Sequence, residues 1–244
     1  MKKFLYLCLL ILFMDNCNNN KIVSSPAVST ISSIETSISI IQSPINGSFN
    51  SIHFKDSMTG IAVGENGIAI KTIDGGATWT QLNTQTSISL RSVFIVNSKI
   101  AYIAGGCYIT CSSEDTNIII KTVDGGETWS KLDIPQNASD FRSIFFYCDS
   151  TGFIAGNPGY IATRDGGKSW LADSSQCCLN NAFFLSPQDG YFCGFGGIIL
   201  KTIDGGDTWQ KIDLHSNDYM YQVFFPSLNI GYAIGASHIY PSVA

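Results

Sequence analysis

The sequence predicts an all-β protein, a β-propeller of four-stranded antiparallel blades, on three observations. One eight-residue turn recurs four times, it carries all four tryptophans, and the stretches that flank it repeat with it. The composition agrees, since charged residues make up only 14% of the 244 while glycine, isoleucine and phenylalanine are plentiful. That balance suits short buried strands joined by tight turns, and a recurring unit overrides the domain count that length alone suggests.

The first copy of the turn is Thr72-Ile73-Asp74-Gly75-Gly76-Ala77-Thr78-Trp79, and the others span 122–129, 163–170 and 202–209. Asp-Gly between apolar runs is a strong hairpin signal. Asp74, Asp124, Asp165 and Asp204 are read as turn residues that accept hydrogen bonds from their own amides, with glycines supplying positive φ. One aspartate per repeat is too widely spaced for a catalytic pair. Trp79, Trp129, Trp170 and Trp209 then start the outgoing strands as large apolar wedges.

The flanks complete each unit. Before every turn comes an apolar run (68–71, 118–121, 160–162, 198–201), preceded by a short strand closed by glycine (60–64, 101–105, 152–156, 190–194). Earlier still is a β-branched and aromatic strand (51–54, 92–95, 143–146, 181–184). Strands apolar on both sides are sandwiched by neighbouring sheets, as blades are. A β-solenoid is the competitor, but its repeats are shorter and hold fewer strands.

Four complete blades are expected at about 49–83, 91–133, 141–173 and 179–213, and a fifth at 220–240 that lacks the turn. The stretch Ser37-Ile38-Ser39-Ile40-Ile41 alternates as a half-buried strand does. Ile38 precedes Ile52 by the interval that separates Trp79 from Val93 and Trp209 from Val223. The expectation is a five-bladed ring over 37–244 whose last blade is completed by an N-terminal strand, 37–43. The alternative is a truncated member of a larger propeller with an open edge, which would invite self-pairing.

Residues 1–16 read as a secretory signal, with Lys2 and Lys3 before an apolar run too short to span a bilayer. Cys17 then reads as a lipidated first residue of lipoprotein type, although Met14-Asp15-Asn16 lacks the usual small residue before it; ordinary signal cleavage is the rival. Residues 17–36 form a polar tether. Export to the cell envelope follows, with membrane attachment through the lipid anchor only. With a net charge of −5 and three arginines, the chain has no basic stripe for nucleic acid. No nucleotide loop, metal-ligand cluster or Ser-His-Asp set emerges, so neither cofactor nor metal is implied. His53, in an innermost strand, and His215, in a loop, read as packing and surface residues.

The turn and its flanks resemble the Asp-box (BNR-type) repeat proteins, whose pattern is Ser/Thr-x-Asp-x-Gly-x-Thr-Trp. More narrowly, a Gly-Tyr/Phe-x-x-Gly strand followed by Ile-x-Lys-Thr-x-Asp-Gly-Gly-x-Thr-Trp is similar to the photosystem II stability/assembly factor-like family. The resemblance covers about residues 49–235. It implies a propeller whose Asp-box turns face away from the ligand site.

The opposite face then deserves the search. Arg91 and Arg142 stand just before the innermost strands of their blades, with Asn50, Asn180 and Tyr221 in the matching places. Together they could ring the mouth of the central channel and hold an anion. The bland alternative is a pair of solvated arginines. The long loop 106–117 lies on the same face and brings Tyr108, with Cys107 and Cys111 close enough in sequence for a local disulfide. Cys148, Cys177, Cys178 and Cys193 are a second bridge or buried thiols. These residues describe a non-enzymatic scaffold that binds a protein or glycan. The enzymatic alternative is sialidase-like glycoside hydrolysis with Glu65 and Glu114 as acid/base residues, but Arg164 sits in a turn motif, leaving two arginines where the resemblance implies three.

Overall fold

The computed structural model describes residues 43–106, 117–136, 138–174, 178–215, 218–227 and 230–236. Among them are four antiparallel sheets of four strands each. The first holds β1 (Phe49–Phe54), β2 (Gly60–Gly64), β3 (Ala69–Thr72) and β4 (Thr80–Gln81). The second holds β5 (Leu90–Ile95), β6 (Ala101–Gly106), β7 (Asn117–Thr122) and β8 (Ser130–Lys131). The third holds β9 (Ser139–Phe146), β10 (Gly152–Asn157), β11 (Gly159–Thr163) and β12 (Leu171–Asp173), and the fourth β13 (Leu179–Phe184), β14 (Gly190–Gly194), β15 (Ile199–Thr202) and β16 (Gln210–Ile212). A fifth sheet pairs β17 (Tyr219–Ser227) with β18 (Ile230–Ala236). This is a β-propeller. The strand expected at 37–43 falls almost wholly outside the described residues, as do Cys17 and the signal.

Each sheet packs on the next through its second strand. Alternate residues of that strand face forward, namely Ile61 and Val63, Tyr102 and Ala104, Phe153 and Ala155, and Tyr191 and Cys193. Each pair joins a core with the first strand of the following sheet, so four apolar seams tie the five sheets in series. The face of β18 that would continue the series carries Tyr232 and Ile234, which are exposed.

The turns close the sheets at one end. In the first, Thr72 donates its hydroxyl to Asp74 and accepts the Gly76 N–H, while Asp74 accepts both the Thr78 N–H and its hydroxyl. The other three copies repeat the network. These bonds favour the ionised carboxylates, holding Asp74 and Asp165 at about 2 and lowering Asp124 and Asp204 as well. The second, third and fourth turns are also clamped by the sheet before them: Lys71 donates to Gly125 O, Lys121 to Gly166 O and Arg164 to Gly205 O. Arg164 serves here because Ala162 stands where the other sheets carry lysine. Three of the tryptophans lie edge-on against first-strand phenylalanines, in Phe54–Trp79, Phe146–Trp170 and Phe184–Trp209, and Trp129 packs in the core with Ile95.

The innermost strands share one register. Ser51, Ser92, Ser143 and Asn181 each accept the backbone N–H of the next sheet, from Val93, Ile144, Ala182 and Val223. Two residues further along come His53, Phe94, Phe145, Phe183 and Phe224, whose rings touch in succession at 4.4, 5.0, 6.4 and 5.6 Å. His53 departs from the aromatic rule, and its Nδ1 accepts the Ile95 N–H at 3.2 Å. Burial lowers its pKa to about 4, so folding favours the neutral ring. Its contribution is complete above pH 6.5 and is lost as pH falls toward 4, amounting to about 3 kcal/mol in full. Urea midpoints at pH 7.5 and 4.5 should show this fall, and His53→Phe should flatten it in that window, above the range where the turn aspartates titrate.

Candidate functional site

At the end of the propeller away from the turns, residues of all five sheets line an open cavity of about 420 Å3: Asn50, Glu65, Ser89, Arg91, Arg142, Asn180 and Tyr221. The five side chains expected at the mouth are thus brought together. Their placement differs from expectation in one respect: they lie inside the innermost strands, not before them. In β1 the ladder runs Phe49↔Gly64 and then Ser51↔Val63, so Asn50 is an unpaired extra residue. Arg91, Asn180 and Tyr221 are skipped in the same way, and in β9 the skip covers 140–142. Each mouth residue is a β-bulge, which bends the strand and re-aims the side chain.

The bulge explains the glycine at or next to the end of each second strand. A Cβ at Gly64, Gly105 or Gly194 would lie 1.9, 2.2 or 2.4 Å from the carbonyl oxygen of Ser48, Ser89 or Cys178. Gly156 and Gly235 face Ser139 and Tyr219 in the same way. The bulged chain comes this close only because no side chain intervenes. At the strand's other end Gly60, Gly152, Gly190 and Gly231 lie under Phe54, Phe146, Phe184 and Phe225. The second sheet substitutes both partners, pairing Ile95 with Ala101.

Hydrogen bonds hold four of the five mouth residues, while Tyr221 is exposed. Asn50 donates to Leu90 O at 2.9 Å and Asn180 to Met220 O at 2.6 Å, each reaching the next sheet. Arg142 donates through Nη1 to Asn180 Oδ1 and through Nε and Nη2 to Asp140 Oδ2. Arg91 donates through Nε to Gly106 O, and its Nη1 lies 3.8 Å from Asp140 Oδ1. Arg142 also lies over the Phe195 ring at 4.8 Å. Asp140 was not singled out in the sequence, yet it sits beneath both guanidinium groups. It is 6% exposed, and its backbone takes the left-handed φ of 48°, a conformation tolerated by Asp and marked at functional sites. It has no counterpart at the same offset in the other sheets, so the repeat does not mark it.

The mouth is therefore not the bare cationic patch that two arginines suggest. Arg142 is neutralised in place by Asp140, and the Arg91 side chain, 27% exposed against 12% for Arg142, presents the more accessible charge. Glu65 adds a carboxylate to the lining. Tyr108, Cys107, Cys111 and Glu114 lie outside the described residues, as does Cys177. Cys193 is buried, with its thiol pKa pushed up to about 12. Arg164 lies at the turn end, paired with Asp207.

Removing the carboxylate beneath the arginines tests this geometry. Asp140→Ala should cost about 3 kcal/mol in urea unfolding by leaving Arg142 partly buried without its partner. An unchanged midpoint would show that the arginines are held by other groups.

No protein-family model and no curated protein matches the chain. Solved structures do match in fold. YCF48 from Cyanidioschyzon merolae aligns over 81% of this chain and 70% of its own, with 16% identity and a TM-score of 0.57. YCF48 bound to D1 peptide aligns over 80% and 92%, with 20% identity and a TM-score of 0.47. The GH74 enzyme of Niastella koreensis aligns over 73% of this chain, with 17% identity and a TM-score of 0.57, and the chain spans 31% of that enzyme's length. At such identities the likeness is one of β-propeller fold, which many functions share.

Proposed function

We propose that the chain is a non-enzymatic binding module that holds an acidic segment of a protein partner at the mouth of the propeller. The observation that carries this reading is the convergence of five bulge residues on one cavity, with two arginines oriented over a buried aspartate. Rigid placement of donors lowers the cost of ordering them on binding, and a guanidinium fixed by a carboxylate keeps its outward N–H groups aimed. We read the fourfold turn as an Asp-box repeat of the photosystem II assembly factor-like kind. The same reading makes the protein an exported lipoprotein anchored through Cys17.

Glycoside hydrolysis is the weaker reading. It needs two carboxyl groups flanking the scissile bond, whereas Glu65 is the one carboxylate among the described residues that line the cavity. Asp140 is enclosed and engaged by Arg142.

Charge reversal separates the possibilities. In affinity capture from the native envelope, Arg91→Glu should abolish recovery of the partner and Arg142→Glu should weaken it less, in line with their exposure. Recovery unaffected by both changes would remove the mouth from the interface. Turnover of a sialoside or glucan that Glu65→Gln abolishes would overturn the non-enzymatic reading.

A further inference from the structure

A second cavity of about 450 Å3 lies on the first sheet, between the turn that joins β2 to β3 and the chain that leaves β4. It is an open depression whose amide side chains are exposed, and its chemistry differs from the mouth. Among the described residues no ionisable side chain lines it. Its polar wall is made by four amides, Asn66, Gln81, Asn83 and Gln85, and its apolar wall by Ile68 and Leu82.

The backbone around it is held in place. Thr84, 5% exposed, donates its hydroxyl to Gly67 O at 2.7 Å and so ties the two walls together. A Cβ at Gly67 would lie 1.8 Å from Thr86 O, so the walls meet at van der Waals limits. Leu82 N–H donates to Ala69 O and Ile88 N–H to Thr86 Oγ1. Asn66 and Gln85, one on each wall, take left-handed φ values of 57° and 54°.

The amides themselves are largely uncommitted. Among the described residues the side chains of Asn66, Gln81 and Gln85 make no hydrogen bond within the protein. Asn83 uses only its Oδ1, which accepts the Gln85 N–H at 3.2 Å. A side-chain amide offers a donor and an acceptor side by side, the same pair that a peptide unit presents along an extended chain. Gln81 also belongs to β4, the outermost strand of its sheet, where a further segment can align. A sugar ring would need an aromatic face to stack on, and the apolar wall is aliphatic.

The two cavities are lined by neighbouring residues of the same chain segments. Glu65 lines the mouth and Asn66 the second cavity, while Ser89 and Thr86 divide in the same way along the chain leaving β4. We propose that this cavity binds the main chain of an extended, uncharged peptide segment, and that it continues the partner site at the mouth. The inference rests on the mouth reading for its partner, but its chemistry is independent of the arginines.

The test uses acetyl-triglycine-amide, which carries no charge, added to the 15N-labelled protein. The side-chain NH2 signals of Asn66, Gln81 and Asn83 should move saturably, with a dissociation constant on the order of 1 mM. Asn83→Asp keeps the acceptor for Gln85 N–H and removes the outward NH2. It should weaken the peptide by about tenfold with unchanged circular dichroism, and Arg91→Glu should leave the titration as it was. Failure of the peptide to shift these signals overturns the inference, as does their response to cellotetraose in its place. A titration lost in Arg91→Glu but intact in Asn83→Asp would put the peptide at the mouth, overturning the second site and sparing the first.

Discussion

Everything at the mouth depends on one close approach, that of a bulged innermost strand to a glycine of the strand beside it. The carbonyl oxygens of Ser48, Ser89 and Cys178 occupy the space where a side chain on Gly64, Gly105 or Gly194 would stand. That contact goes with a break in the ladder of each sheet, one residue long in four sheets and three long (140–142) in the third, and each break includes the residue that lines the cavity. A bulge shifts facing by one position. The residue after it can then reach sideways to the next sheet, and the aromatic two places on can meet its neighbours. Mouth, lateral hydrogen bonds and aromatic column are three consequences of one register.

The two ends of the molecule divide their work accordingly. At the turn end, carboxylates and hydroxyls are consumed within each turn, and the cations of the third-strand region clamp the turn of the next sheet. At the mouth, the positions vary from sheet to sheet as Asn, Arg, Arg, Asn and Tyr while the backbone that presents them stays constant. A repeated scaffold that presents a different residue from each sheet is the arrangement that suits a recognition surface.

Much of the architecture was legible because each repeat restates it. Four copies of an Asp-Gly-Gly turn gave the hairpins, and the spacing of the glycine-closed strand gave strand order. The five mouth residues could be listed because they occupy one offset in every unit. What could not be read was why that offset points into the cavity. A bulge leaves no composition signal of its own, so Arg91 and Arg142 looked like residues preceding a strand. Asp140 was invisible for a related reason: it occurs in one sheet only, and a repeat pattern hides what does not repeat. The clamps from Lys71, Lys121 and Arg164 were hidden too, since they join sheets 45 to 54 residues apart, or 41 for Arg164.

The most direct measurement of this account is the stability of Gly105→Ala, followed by urea unfolding together with an experimental structure of the variant. Alanine for glycine at a position with ordinary backbone angles usually stabilises by about 0.4–1 kcal/mol. Here the added methyl meets a backbone oxygen, so the account predicts a loss of about 2 kcal/mol or more and a displaced Arg91. A variant as stable as the parent, with Arg91 still lining the cavity, would contradict it.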